Sequence, residues 1–330
     1  MLTSAVSYRD NSEGAVALDW HNGRRSPNAN QRLTGAIANS GTLRSDGVLS
    51  LKGDGAVSNT GKLLAQGALQ VQGLTGVFAG ALTTGVGSEI NGSEITVKAV
   101  SLTNAGDLLA RSGDVVVVSA GAVSSSGRIL SVQGIEISAD GGVAVTGGEV
   151  SATEEIVIKG QSGSHAGRVS LAGDVNASDG ITIAARGFSV EAAGDVAVSD
   201  GALSVDVTDD LSIAGTARAK EAATLKVDGA SLISGKLLSD DAVRLTSRTG
   251  GESGALTLTA QGELNGKTVQ TKTASLTSAG DIKAWGGEAA LLSSGLLSNT
   301  GSIQALGALS VGADAGVQTS GAIRSNEAIT

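Results

Sequence analysis

The chain has no cysteine, one proline (Pro27), two histidines and five aromatic residues, Tyr8, Trp20, Phe78, Phe188 and Trp285, among 330 residues. Without cysteine there are no disulfides, no thiolate metal sites and no thiol nucleophile, a composition that fits a secreted chain. A single proline excludes a collagen-like helix. Charged residues make up only 17%, and the net charge of −9 lacks the basic excess that a nucleic-acid binder concentrates on one face. No apolar run approaches the ~18–20 residues of a membrane-spanning helix. Disorder is excluded too, because 41% of the chain is hydrophobic, nearly all of it Ala, Val, Leu and Ile.

Glycine is abundant instead, with 49 copies, about twice its usual ~7% share. Length alone would suggest two domains of ~150 residues, but the sequence repeats itself. The clearest units read apolar-x-Asn-x-Gly-x-apolar-x-small-x-Gly-x-apolar-x-apolar. One copy is Ile37, Asn39, Gly41, Leu43, Ser45, Gly47, Leu49 and Leu51; the next is Val57, Asn59, Gly61, Leu63, Ala65, Gly67, Leu69 and Val71. A third follows far downstream as Leu297, Asn299, Gly301, Ile303, Ala305, Gly307, Leu309 and Val311. Weaker copies keep a turn glycine at Gly106, Gly127, Gly147, Gly173, Gly194, Gly215, Gly235, Gly280 and Gly321. Most steps are 20 or 21 residues. Two steps of 45, Gly61 to Gly106 and Gly235 to Gly280, read as two coils plus a short insertion. The 26-residue step from Gly147 to Gly173 holds a smaller insertion around 161–167. A fixed period near 20 is the mark of a solenoid.

Within each repeat, apolar and polar residues alternate, as in Gly-Ala-Leu-Gln-Val-Gln at 67–72 and Gly-Ile-Thr-Ile-Ala at 180–184. Alternation is the strand signature, and the Val, Ile and Thr enrichment agrees with it. The Leu-x-x-Leu-x-Leu frame of leucine-rich repeats is missing. We expect an all-β chain, a parallel β-helix of about 20-residue coils with three short strands each. Roughly 16 coils at ~4.8 Å would give a rod about 75 Å long. The column of Leu43, Leu63, Leu108 and Ile303 should stack inside, with Lys62 outside. The corner glycines and asparagines are expected to supply positive φ.

Residues 33–330 read as one continuous repeat array. Residues 1–32 fit the repeat poorly, and serve as an irregular N-terminal segment or a first coil. Residues 2–6 are too short and too polar for a signal-peptide core. The sequence stops in mid-repeat after Gly321 without a polar cap, so we expect it to be a section of a longer chain.

The strings Leu-Ser-Asn-Thr-Gly-Ser-Ile-Gln-Ala-Leu-Gly-Ala-Leu-Ser-Val at 297–311 and Val-Ser-Asn-Thr-Gly-Lys-Leu-Leu-Ala-Gln-Gly-Ala-Leu-Gln-Val at 57–71 resemble the repeat region of the filamentous haemagglutinins, exoproteins of bacterial two-partner secretion. The resemblance covers roughly 33–330 and is strongest over 35–73, 100–137 and 276–325. It implies a right-handed β-helical rod, secreted and displayed at the bacterial cell surface, that acts in adhesion toward a host-cell glycan or protein receptor. It also implies an outer-membrane transporter partner, engaged through a secretion domain that is not recognisable in this chain. Contact-dependent growth inhibition exoproteins carry similar repeats as a stalk, and the repeat does not separate the two.

Gly-Lys-Thr at 266–268 lacks the earlier glycine of a phosphate loop, since position 261 is Gln, and alternation rather than a helix follows. The adjacent acids Glu154-Glu155, Asp209-Asp210 and Asp240-Asp241 would serve a glycosidase only if two carboxylates faced one sugar. Strand neighbours point to opposite faces, so they read as solvated acids. Gly141-Gly142 and Gly250-Gly251 lack the Gly-x-Asp of calcium nonapeptides. His21 and His165 are expected to be isolated surface residues. Asn91-Gly-Ser93 and Asn176-Ala-Ser178 match the glycosylation pattern, and His-Asn-Gly-Arg-Arg at 21–25 is the one basic cluster. No residue is assigned a catalytic, cofactor or metal role. The expected function is that of an adhesive shaft, with a toxin-delivery stalk as the alternative and a β-helical polysaccharide lyase or hydrolase as a more distant one.

Overall fold

The computed structural model describes residues 35–330 and, for backbone only, the strands Val16–Leu18 and Ala29–Leu33. The basic cluster at 21–25, with Trp20 and Pro27, lies outside the described residues. The chain is a parallel β-helix, and every pairing between its named strands is parallel. One coil contributes three strands. In the first fully described coil these are Ile37–Asn39 (β1), Thr42–Ser45 (β2) and Leu49–Gly53 (β3), each pairing with its counterpart one turn later, Val57–Asn59, Lys62–Ala65 and Leu69–Gln72. Repetition builds three faces, named here for β1, β2 and β3. The β2 face has fourteen rungs among the described residues, about 62 Å from first to last at ~4.8 Å each. The β1 face has one rung more, because Val16–Leu18 pairs with Ile37–Asn39, against the roughly sixteen coils expected of the whole sequence.

At one corner the faces fuse. Two eleven-residue strands, Gly180–Val190 and Thr268–Ser278, run through it unbroken and pair with both the β3 and β1 faces. They join those faces into a single 27-stranded sheet. All three insertions lie at this same corner, at 73–78, 161–165 and 247–252. Each 45-residue step contains two coils of unequal length. Lys62 pairs with Glu89 and Glu89 with Asp107, which makes coils of 27 and then 18 residues. Lys236, Glu263 and Asp281 repeat the same two lengths.

The interior follows from alternation. On the β2 face, Leu43, Leu63, Ile90, Leu108 and Ile129 continue as an apolar column to Ile303, and Leu63 is fully buried while Lys62 is exposed. Its neighbouring inward position holds small residues such as Ser45, Ala65, Ala110 and Ala152. Burying one large aliphatic side chain contributes ~1.5–3 kcal/mol, and these gains accumulate rung by rung rather than around one centre. Phe188 is the only aromatic residue fully buried among the described residues.

Three expectations about the corners are corrected. Asn39 and Asn59 are not exposed turn residues; both are buried, and Asn39 Nδ2 donates to Asn59 Oδ1 at 2.7 Å. Asn104 extends the same inward column, accepting from Thr84 and donating to Ser125 at 3.1 Å. Farther along the rod the column turns aliphatic, through Val145, Leu171 and Val190. The corner glycines also have a different reason. Gly61 and Gly235 are absent from the positive-φ positions, but a Cβ on either would lie 2.0 Å from the carbonyl oxygen of the coil beneath, Gly41 or Gly215. Those same oxygens accept from Lys62 N and Lys236 N at 2.8 Å. The coils approach too closely here for a side chain. Finally, Gly148 rather than Gly147 occupies this column, since its Cβ would meet Gly127 O at 2.2 Å, while nothing lies within 4 Å of one on Gly147.

Candidate functional site

The outer surface is organised by the same columns as the core. Side chains one rung apart pair across the β2 face: Lys62 with Glu89 (3.2 Å), Arg128 with Asp107 (2.7 Å) and Arg218 with Asp195 (3.1 Å). The hydrogen bond and charge of Arg128 outweigh the burial of Asp107 and hold its carboxyl below the ordinary value. The hydroxyls of Ser189 and Ser170 do the same for Glu191.

At the corner of insertions, each added loop begins on an aspartate from the coil below. Asp54 Oδ1 accepts from Leu74 N at 2.8 Å, Asp140 Oδ1 from Gln161 N at 2.8 Å, and Asp228 Oδ1 from Arg248 N at 3.1 Å. Between the second and third loops, Asp206 joins both. His165 Nε2 lies 3.1 Å from Asp206 Oδ1, and Arg248 Nε donates to the same oxygen. Burial raises the pKa of Asp206, yet its bonds to His165 and Arg248 prevail and the carboxyl stays below its usual range. His165 is therefore not the isolated surface residue expected. Its partner sits 41 residues on, two rungs along the rod. That interval, and the 42 residues from Asp206 to Arg248, are multiples of the repeat and were visible in the sequence.

The remaining motifs fall at corners or within strands. Gly266 ends the strand Glu263–Gly266, and Thr268 opens the next strand rather than a helix. Asp210 Oδ1 caps Ala230 N at 2.8 Å, and Asp240 pairs with Lys220 at 2.8 Å. Glu155 accepts from Thr182 at 2.8 Å. These acid pairs serve turns and rung-to-rung contacts, and no group of three or more metal-ligating side chains occurs among the described residues. Asn91 and Asn176 lie within strands of the β2 face, where Asn91 Oδ1 accepts from Arg111 at 2.6 Å.

A concave feature lies on the outer surface of the rod. A groove of about 410 Å³ runs along the edge of the β2 face, lined by Ser199, Arg218, Lys220, Asp240, Asn265 and Trp285 among others. It crosses the successive rungs of Val198, Ala219, Ser239, Gly266 and Ala284, about 19 Å of the rod. Trp285 follows the small inward position of its strand, and its backbone N–H donates to Gly266 O at 2.9 Å; the residue is 52% exposed at one end of the groove. The hydrogen bond from Lys220 to Asp240 raises the lysine's pKa. Asn265 Nδ2 donates to Glu263 at 3.0 Å, while its Oδ1 is buried without a donor. Sequence reasoning counted Trp285 but missed the groove, which exists only because side chains from five separated segments align.

No protein-family model, no curated protein and no solved structure matches this chain.

Proposed function

We propose that this chain is the structural and adhesive shaft of a secreted, cell-surface protein similar to the filamentous haemagglutinins, holding a repetitive outer surface away from a bacterium. The observation that carries the reading is the apolar column that runs from Leu43 to Ile303 with no interruption. A core built this way generates length, and the outward positions are left to vary without disturbing it. The rung-paired charges of the β2 face agree with a surface meant to stay soluble and extended. In this reading the chain binds rather than catalyses, and a host-cell glycan or protein is its partner.

The test is adhesion by the purified chain. Beads coated with it should bind epithelial cells or erythrocytes, and the free chain should compete. Rods that bind neither cells nor a glycan array favour the toxin-delivery stalk, in which this segment only spans distance. Release of unsaturated or reducing sugars from polygalacturonate or similar polymers would support the enzyme reading instead.

A further inference from the structure

The geometry points to the Trp285 groove as a binding subsite for an uncharged oligosaccharide. This deepens the adhesive reading and rests on it for biological purpose. Three features of the groove select the ligand class.

The first is the indole. Trp285 is the only tryptophan among the described residues and is half exposed, whereas of the other described aromatics Phe188 is buried and Phe78 partly buried. An exposed flat apolar ring beside polar groups suits the apolar face of a sugar ring, whose edge carries hydroxyls.

The second is charge balance. Arg218 and Lys220 line the groove, but Asp195 neutralises the first at 3.1 Å and Asp240 the second at 2.8 Å. An acidic glycan would meet no excess positive charge. Neutral hydroxyls, in contrast, can use the donors and acceptors these pairs leave free, because a guanidinium carries five N–H groups and a carboxylate about four acceptor sites.

The third is Asn265. Its carboxamide lines the groove, its Nδ2 is committed to Glu263, and its Oδ1 has no donor. A ligand hydroxyl that reaches that acceptor would satisfy a buried group the protein itself leaves unpaired. A peptide fits less well, since peptide grooves need several apolar anchor points and this one provides a single ring.

The experiment uses the full chain carrying Trp20→Phe, so that emission reports Trp285 alone. It is titrated with neutral cello-, manno- and galacto-configured tetraoses, and with a sulfated tetrasaccharide as the acidic control. At least one neutral tetraose should shift the emission saturably. Trp285→Ala, measured by calorimetry, should weaken that binding roughly tenfold or more, and Trp285→Phe should fall between. The circular dichroism of all variants should match the parent, as the ring is on the surface. The proposal is overturned if no neutral tetraose saturates, if Trp285→Ala binds as tightly as the parent, or if only the sulfated sugar binds, with an affinity that collapses in salt. Bead adhesion by Trp285→Ala separates the two readings. Undiminished adhesion without neutral-sugar binding sinks the groove and leaves the adhesive shaft standing. Trp285-dependent sugar binding without adhesion to any cell does the reverse.

Discussion

Two adjacent glycines provide a test of why glycine recurs in this rod. Gly148 has φ +68°, and a Cβ there would lie 2.2 Å from Gly127 O and 2.7 Å from Ser126 O. Alanine at 148 therefore faces a left-handed conformation, which costs ~1–2 kcal/mol. It must also push the neighbouring coil away by the better part of an ångström. Gly127 O accepts from Glu149 N at 3.3 Å, and losing that bond costs roughly 1 kcal/mol more. The total is at least about 2–3 kcal/mol. Gly147 is different: its φ is not in the left-handed region, and nothing lies within 4 Å of an added Cβ. Gly147→Ala should be neutral, or stabilising by ~0.4–1 kcal/mol through the unfolded chain. Urea denaturation followed by circular dichroism gives the two midpoints, and hydrogen exchange over residues 140–180 shows whether damage is confined to the rungs around the mutation. A destabilising Gly147→Ala with a silent Gly148→Ala would mean that the coil register is off by one. If both are silent, the close-approach argument fails for the whole glycine column.

Leu63→Asp should open its coil and admit protease between about 40 and 85, since an unpaired buried charge costs several kcal/mol, whereas Lys62→Asp should change stability by only ~0.5 kcal/mol; equal protection of both would reverse the faces. Asn59→Val removes the 2.7 Å bond from Asn39 Nδ2, which keeps only its longer bonds to Gly41 O and Lys62 O, together with the bond from Asn59 Nδ2 to Glu89 O, and should cost ~1 kcal/mol; a double-mutant cycle with Asn39→Val in denaturation isolates the side-chain pair. Asp206 has a depressed carboxyl pKa, so its contribution is present above the unfolded value near 3.8 and is lost as pH falls through the folded one. Hydrogen exchange of the loops at 161–165 and 247–252 should therefore rise below about pH 4 in the parent, and Asp206→Asn should show faster exchange already at pH 7, with a global cost under ~1 kcal/mol.

The fold was legible because one physical rule, alternation with a fixed period, governs every coil. It placed Leu63 inside and Lys62 outside, located one insertion around 161–167 and bounded the other two within their 45-residue steps. What it could not reveal was the reason for a residue that serves two purposes. A glycine near a corner signals either positive φ or close approach, and the sequence reads identically in both cases; only the position of Gly41 O against Gly61 decides. Asn39 and Asn59 carried the same ambiguity between an exposed turn and a buried amide ladder. The corner cluster was partly legible, as His165, Asp206 and Arg248 fall at two-coil intervals, but recognising it required knowing on which side of each strand the extra residues bulge. The groove was illegible for another reason. Its walls come from Arg218, Asp240, Asn265 and Trp285, whose outward positions follow from alternation, but whose side-chain conformations do not.

The confinement of all added length to one corner separates a residue's address along the rod from its number in the chain. Height is counted in rungs, so a 27-residue coil and an 18-residue coil each raise the rod by the same ~4.8 Å. Extra loops at that corner leave the other two edges in phase, and side chains far apart in sequence keep their vertical alignment above and below them. A deletion of one whole rung, such as 216–235, would shorten the molecule by a single step and bring Lys236 directly above Asp195, in the place of the rung that now carries its partner Arg218. A deletion of ten residues would instead turn every later side chain onto the wrong face. The molecule can thus change in length only by discrete increments, while its outline at one vertex varies freely.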